Sequence, residues 1–204
     1  MYTGQRRFGA VVILATILAS APVLAQCSLE AHIDSRMNTG DPSLGGWVYT
    51  LTVDWNTGSQ YALSHLNLWL DEGNQNCLCS DIGGALNLPA ESDPTEGTPT
   101  ACDLVFESLL ECNGDPSIGL TGTIIKFEPF EGEGCEAGVS GTMTYTFYSD
   151  FAPSNIYLPN MYLTDKAGQT ACSGQITGVF PGLPCDPTPV DNVTWGGIKL
   201  RYGR

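Results

Sequence analysis

Eight cysteines constrain this chain more than any other feature: Cys27, Cys77, Cys79, Cys102, Cys112, Cys135, Cys172 and Cys185 all lie beyond residue 25 of its 204 residues. An even cysteine count in an exported chain reads as a disulfide framework, and eight cysteines admit roughly a hundred pairings among which spacing does not choose. Each bridge adds about 2–4 kcal/mol, mainly by restricting the unfolded chain. Such restraint is needed here. With 24 glycines and 13 prolines, much of the chain must be turn and loop.

The reading as disulfides depends on an oxidising compartment, and the first 25 residues supply it. Arg6 and Arg7 give a positive start, residues 8–18 are apolar apart from Gly9 and Thr16, and Val23-Leu24-Ala25 ends in a small residue. That is the layout of a secretory signal peptide cleaved after Ala25. The apolar run is shorter than the roughly 20 residues a membrane helix requires. Gln26 argues against lipidation at Cys27, because that cleavage wants a small residue just before the cysteine. The expected product is secreted or held at the cell surface, with no transmembrane segment in the mature chain.

Cys77-Leu78-Cys79 places two sulfurs close enough to begin a metal site. Structural zinc, however, prefers C-x₂₋₄-C with a matched second pair. Cys102 and Cys112 do not form one, and His32 and His65 stand far off in sequence. The expectation is two separate bridges to different partners, with Cys27 tying down an N-terminus that would otherwise fray.

Eight Lys and Arg stand against 22 Asp and Glu, a net charge of −14 that becomes more negative once Arg6 and Arg7 are removed. Such a surface repels phosphate backbones and anionic lipid heads. Nucleic acid is therefore not an expected partner.

Strand signals dominate the body. In residues 46–54, Trp47, Tyr49, Leu51 and Val53 alternate with Thr50, Thr52 and Asp54, the period-two pattern of a half-buried strand. Residues 64–70 place Leu66, Leu68 and Leu70 on one face. Residues 121–128 and 141–148 are the clearest later strands, the second with Met143, Tyr145 and Phe147 against Thr142, Thr144 and Thr146. Shorter candidates are 102–107 (with a helical turn over 104–110 as the alternative), 156–158, 161–163 and 174–180. A strand through Leu29, Ala31 and Ile33 would form the opening edge. Short strands between Gly, Pro, Asn and Asp turns predict an all-β fold, a disulfide-stapled antiparallel β-sandwich, immunoglobulin-like in general architecture. Residues 83–100, with Pro89, Pro94 and Pro99 and several acids, read as a long loop, a feature that is usually functional or mobile. Residues 113–116, Asn-Gly-Asp-Pro, read as a tight turn. The domain is expected over residues 26–182, followed over 183–204 by a Pro-rich linker and a basic tail.

Signals of chemistry are sparse. Gly138-Val139-Ser140-Gly141 approaches a nucleophile elbow but ends in Thr142, and a strand follows where a helix is needed. Ser64 and His65 are neighbours on an expected strand and should point to opposite faces. They are therefore not read as a catalytic dyad, and His65 is expected to be a half-buried strand residue. Two facing carboxylates would suffice for a glycosidase, yet no local spacing marks a pair. Asp71, Glu72 and Asp81, with Asn74 and Asn76 between, offer hard oxygens on a cysteine-held loop, so calcium is the one cofactor this sequence suggests. Acidic turns of this kind are more often plain polar loops. Trp69 alternates away from Leu68 and Leu70, which makes it the aromatic most available for a ligand contact.

The end of the chain differs from the body. Lys199, Arg201 and Arg204 fall within its last six positions, next to Trp195 and behind a Pro-rich stretch. The run Thr194-Trp195-Gly196-Gly197-Ile198-Lys199 resembles the short Thr-Trp-Gly-x-Ile-Lys termini of uncharacterised exported bacterial β-sandwich proteins. By that resemblance, Trp195, Lys199, Arg201 and Arg204 would be a sorting or attachment signal read by export machinery. The stretch 47–79 also resembles a strand pair of uncharacterised secreted β-sandwich proteins, which implies a fold and carries no activity. The expected function is a non-catalytic secreted or cell-surface structural or adhesive module. It would meet a protein or glycan partner through loops such as 71–81 or 83–100. A carbohydrate-binding module or weakly marked glycoside hydrolase is the alternative.

Overall fold

A computed structural model describes residues 26–70, 77–98, 102–130, 134–155 and 161–183. The leader, residues 71–76 with Asp71 and Glu72, the expected strand at 156–158, Cys185, and the tail with Trp195, Lys199, Arg201 and Arg204 lie outside the described residues.

The fold is all-β and disulfide-stapled. In chain order the strands are β1 (Ser28–Met37), β2 (Trp47–Asn56), β3 (His65–Trp69), β4 (Leu86–Asn87), β5 (Thr95–Glu96), β6 (Asp103–Leu104), β7 (Phe106–Glu111), β8 (Ile124–Pro129), β9 (Ser140–Ser149), β10 (Pro153–Ser154), β11 (Tyr162–Ala167), β12 (Thr170–Gly178) and β13 (Phe180–Pro181), with one short helix, α1 (Cys79–Ala85). Nine strands form one sheet in the order β4-β9-β2-β1-β12-β11-β3-β8-β7. Every neighbouring pair in it is antiparallel except β1 and β12.

The alternation read from sequence sets the faces. On β9, Met143, Tyr145, Phe147 and Ser149 are buried, while the intervening threonines are at least partly exposed. On β2, Tyr49, Leu51, Val53 and Trp55 turn inward, with Trp47 only partly covered. The sheet curls so that its two halves face each other. Phe127 of β8 meets Tyr145 of β9 edge-on at 5.0 Å, and Phe106 of β7 meets Trp55 of β2 at 5.8 Å. The two layers expected of a sandwich are thus supplied by one continuous sheet.

Two expectations change, the edge position of β1 and the long loop at 83–100. β1 is interior, not an edge, because β12 docks on it in parallel with Glu30 opposite Gln175 and Ile33 opposite Gly178. Asp103–Leu104 and Phe106–Glu111 are strand, as expected for residues 102–107, and the alternative of a helical turn over 104–110 does not form. The second change concerns the stretch expected as a loop over 83–100: its described residues end α1 and then, from Leu86 to Thr98, run along the seam of the sheet. Leu86 and Asn87 pair with β9, Asp93 bridges Thr144, and Glu91 bridges Glu107 of β7. The Ser92 hydroxyl accepts from the Phe106 amide at 2.9 Å, and the Ser108 amide donates to Ala90 O at 2.8 Å. Inside the seam, the Tyr145 hydroxyl donates to Pro89 O at 2.8 Å, and the Ser108 hydroxyl also bonds that carbonyl. Burial pushes the Tyr145 phenol up to about 12, with the Ser108 contact opposing. Both ends of the sheet, whose open edges would otherwise invite pairing with other chains, are occupied by this stretch.

Three bridges pin the ends of these elements. Cys27–Cys172 holds the start of β1 to β12, Cys79–Cys112 holds α1 to the end of β7, and Cys102–Cys135 joins the two stretches bridged by Thr98 and Glu136. Cys77 is also disulfide-bonded. Cys77 and Cys79 therefore serve as bridge sulfurs, as the sequence led us to expect.

Candidate functional site

Among the described strands of more than two residues, β3 alone is buried at every position. Leu66 and Leu68 point into the core, while His65, Asn67 and Trp69 point outward. Residues 113–123 lie over that outer face. The covering turn is built locally. Gly114 has φ 70°, and a side chain there would strike Leu120 O, so only glycine fits without strain. The Asp115 carboxylate accepts from the Ser117 amide at 2.9 Å, and its backbone carbonyl accepts from Leu120 N at 2.9 Å.

This turn drives Asp115 into the sheet, where it is 3% exposed. Its Oδ2 receives Asn67 Nδ2 at 3.1 Å and lies 2.6 Å from His65 Nε2, off the line of an ideal ring N–H bond. On the other side of the ring, Nδ1 is 3.3 Å from Ser64 Oγ. The network assigns the proton to Nε2, with Nδ1 accepting from the serine. Two of the few described cations border the cluster. Lys166 of β11 stands opposite His65, and Lys126 of β8 stands opposite Asn67. Farther along the same face, Trp69 meets Tyr162 edge-on at 4.5 Å and donates from Nε1 to Thr121 O at 2.8 Å.

The protonation states follow from these neighbours. Burial lowers the His65 pKa, and Lys126 and Lys166 act with it, against the pull of Asp115. Burial opposes ionisation of Asp115, but hydrogen bonds from Ser117 and Asn67 prevail and hold it at about 2, the His65 ring acting in the same direction only where it is protonated. Burial also opposes the charge on Lys126, yet Glu128, at 2.6 Å, and Asp115 keep its pKa raised. The cluster is therefore a neutral imidazole on an ionised carboxylate, with two ammonium groups nearby.

Ser64, His65 and Asp115 are linked in the order of a catalytic triad. The separation of Ser64 and His65 expected from strand alternation does not hold, because Ser64 precedes β3 and its hydroxyl reaches the ring. A base, however, must become imidazolium during catalysis, and burial with two flanking lysines disfavours that state. The geometry is better suited to holding the covering turn than to accepting a proton.

Trp69 is 5% exposed; the expectation of an exposed ring is corrected, because residues 113–123 cover the face it points to. His65 is fully buried, not half-buried. Asp81 sits in the first turn of α1 and accepts from Leu78 N at 3.1 Å. Among the described residues no group of three or more His, Cys, Asp or Glu gathers as a metal site. Asp115 and Asn67 were not singled out from sequence. The signals present were a polar residue between two inward leucines and an acid in a Gly-Asp-Pro turn, neither of which indicates the other.

A shallow groove of about 240 Å³ lies over β7 and β8, lined by Glu91, Glu107, Glu128, Lys126 and Leu109. Glu107 and Glu128 face each other directly across the strands.

These features define a class: a small, acidic, all-β domain closed by bridges, with its main polar cluster used internally. No helix among the described residues is long and apolar enough to cross a membrane. Compared with protein-family models and with curated proteins, the chain matches none.

Proposed function

We propose that this protein is a non-catalytic extracellular module, a structural or adhesive surface protein that engages a neutral or cationic protein or glycan partner. One observation carries the reading: the residues best equipped for chemistry, His65, Asn67 and Asp115, are spent on fastening a turn to the sheet. Disulfide bridges support an oxidising destination, as does the signal-like leader. The acidic surface argues against nucleic acid and favours a cationic or neutral contact. By the resemblance of its end to sorting tails, Trp195, Lys199, Arg201 and Arg204 would meet export machinery.

The test uses the exported, disulfide-intact protein in two assays: binding to immobilised surface extracts and a glycan array, and turnover of chromogenic glycosides and esters. Saturable binding without turnover is the expected result. Turnover abolished by His65→Ala contradicts the proposal.

A carbohydrate-active reading is favoured by the groove in which Glu91, Glu107 and Glu128 converge. Glycosidic chemistry needs two carboxylates flanking the bond. Glycan turnover lost in both Glu107→Gln and Glu128→Gln would establish this alternative, and turnover unchanged by either would remove it.

A further inference from the structure

We infer that residues 113–123 form an acid-released latch over β3, kept shut at neutral pH by Asp115 seated between His65 and Asn67. The loop is fixed at both ends. Cys112 is bridged to Cys79, and Ile124 enters β8. Between those anchors it is attached to the β3 segment at three places. Thr121 O receives the Trp69 indole at 2.8 Å, Thr123 O receives the Leu70 amide at 3.0 Å, and the Asp115 carboxylate receives Asn67 and lies 2.6 Å from the His65 ring. Only the last attachment can titrate.

The groups around the imidazole set the direction. Asp115 faces it from the loop, Lys126 from β8 and Lys166 from β11, while Glu128 and Glu111 act on Lys126. Asp165 of β11 belongs to the opposite face, where its Oδ1 accepts from Cys172 N at 2.9 Å. Protonating His65 places a third cation beside two lysines in a buried site. Asp115 offsets part of that cost, but burial and the two lysines outweigh it. Opening the loop rehydrates the ring and separates the charges.

A second observation points the same way. Asn67 Oδ1 and Thr164 Oγ1 belong to residues opposite each other on β3 and β11, and both are buried without a hydrogen-bond partner. Unsatisfied buried oxygens are costly, so the layer beneath the loop gains hydration when it lifts. The turn has its own internal bonds, from Ser117 and Leu120 to Asp115, and can lift as a unit. Release would uncover Trp69 and its neighbour Tyr162.

Amide hydrogen exchange on the exported, disulfide-intact protein tests this, at pH about 7.5 and about 5, on either side of the ordinary histidine range. After correction for intrinsic exchange, protection over residues 113–123 should fall about tenfold or more in acid, a sub-global opening, while β9 keeps its protection. His65→Gln should abolish the pH response. Equal loop protection at both pH values overturns the inference, as does parallel loss in β9 or a pH response that persists in His65→Gln. Should that variant fail to fold, Lys166→Met removes one flanking cation and must move the opening to lower pH; an unmoved transition overturns the inference equally.

Discussion

At the residue scale, four positions carry sharp expectations. Asp115→Asn removes a buried charge from a cluster that depends on it, and should cost about 2–3 kcal/mol in chemical denaturation at neutral pH. A loss under half a kcal/mol would mean that the contact with His65 and Asn67 is idle. The pH dependence has a definite sign. Asp115 is held at about 2, below its ordinary value of about 3.9. Its contribution is therefore complete above about 4 and fades as pH falls toward 2. The His65 pKa is also lowered, so its contribution is complete above about 6.5 and is lost as pH falls below that. Asp165 acts oppositely. Burial raises its carboxyl, against one backbone hydrogen bond from Cys172, and its Oδ2 has no partner. Its cost to the fold therefore appears as pH rises through the carboxylate range. Asp165→Asn keeps the acceptor and removes the charge, and should stabilise by on the order of 1 kcal/mol at pH 8. Destabilisation at that pH would refute this account of Asp165. At Gly97, an added Cβ would overlap the Cys135 sulfur and crowd that of Cys102. Gly97→Ala should leave a fraction of molecules with free thiols at these two cysteines, detectable by alkylation and mass spectrometry.

At the element scale, the seam tests how the sheet is joined. The Phe106 amide is buried, and the Ser92 hydroxyl is its acceptor. Ser92→Ala should cost about 1–2 kcal/mol through the unpaired donor, with unfolding transitions that remain cooperative. Here the sequence was legible in part. β2, β8 and β9 could be read because each has one wetter face: Thr alternates with aromatic or aliphatic residues on β2 and β9, and Lys126 and Glu128 alternate with Ile125 and Phe127 on β8. β3 could be read only by its leucines. It is buried on both faces, and what covers the outer one comes from 113–123, more than forty residues later. The seam was taken for a loop because its pairing is made of isolated bridges and side-chain bonds among prolines, which leave no periodic trace. α1 was missed for a related reason. It contains Gly83 and Gly84, poor helix formers, and is held by the bridge at Cys79 and by burial of Ile82 and Ala85.

At the scale of the whole molecule, a curled sheet with many turns is closed by covalent ties between segments far apart in sequence. Cys27–Cys172 spans 145 residues, against 33 for each of Cys79–Cys112 and Cys102–Cys135. The even cysteine count announced such ties, but the pairing depended on β1 docking in parallel on β12, a long-range event that no local pattern encodes. That all-β, bridge-closed architecture underlies both the proposed extracellular role and the latch. Peptide mapping of the exported protein without reduction tests it most directly. The account predicts no free thiols and three of the bonds as 27–172, 79–112 and 102–135; free thiols in a folded product, or any other partner for these six cysteines, would contradict it.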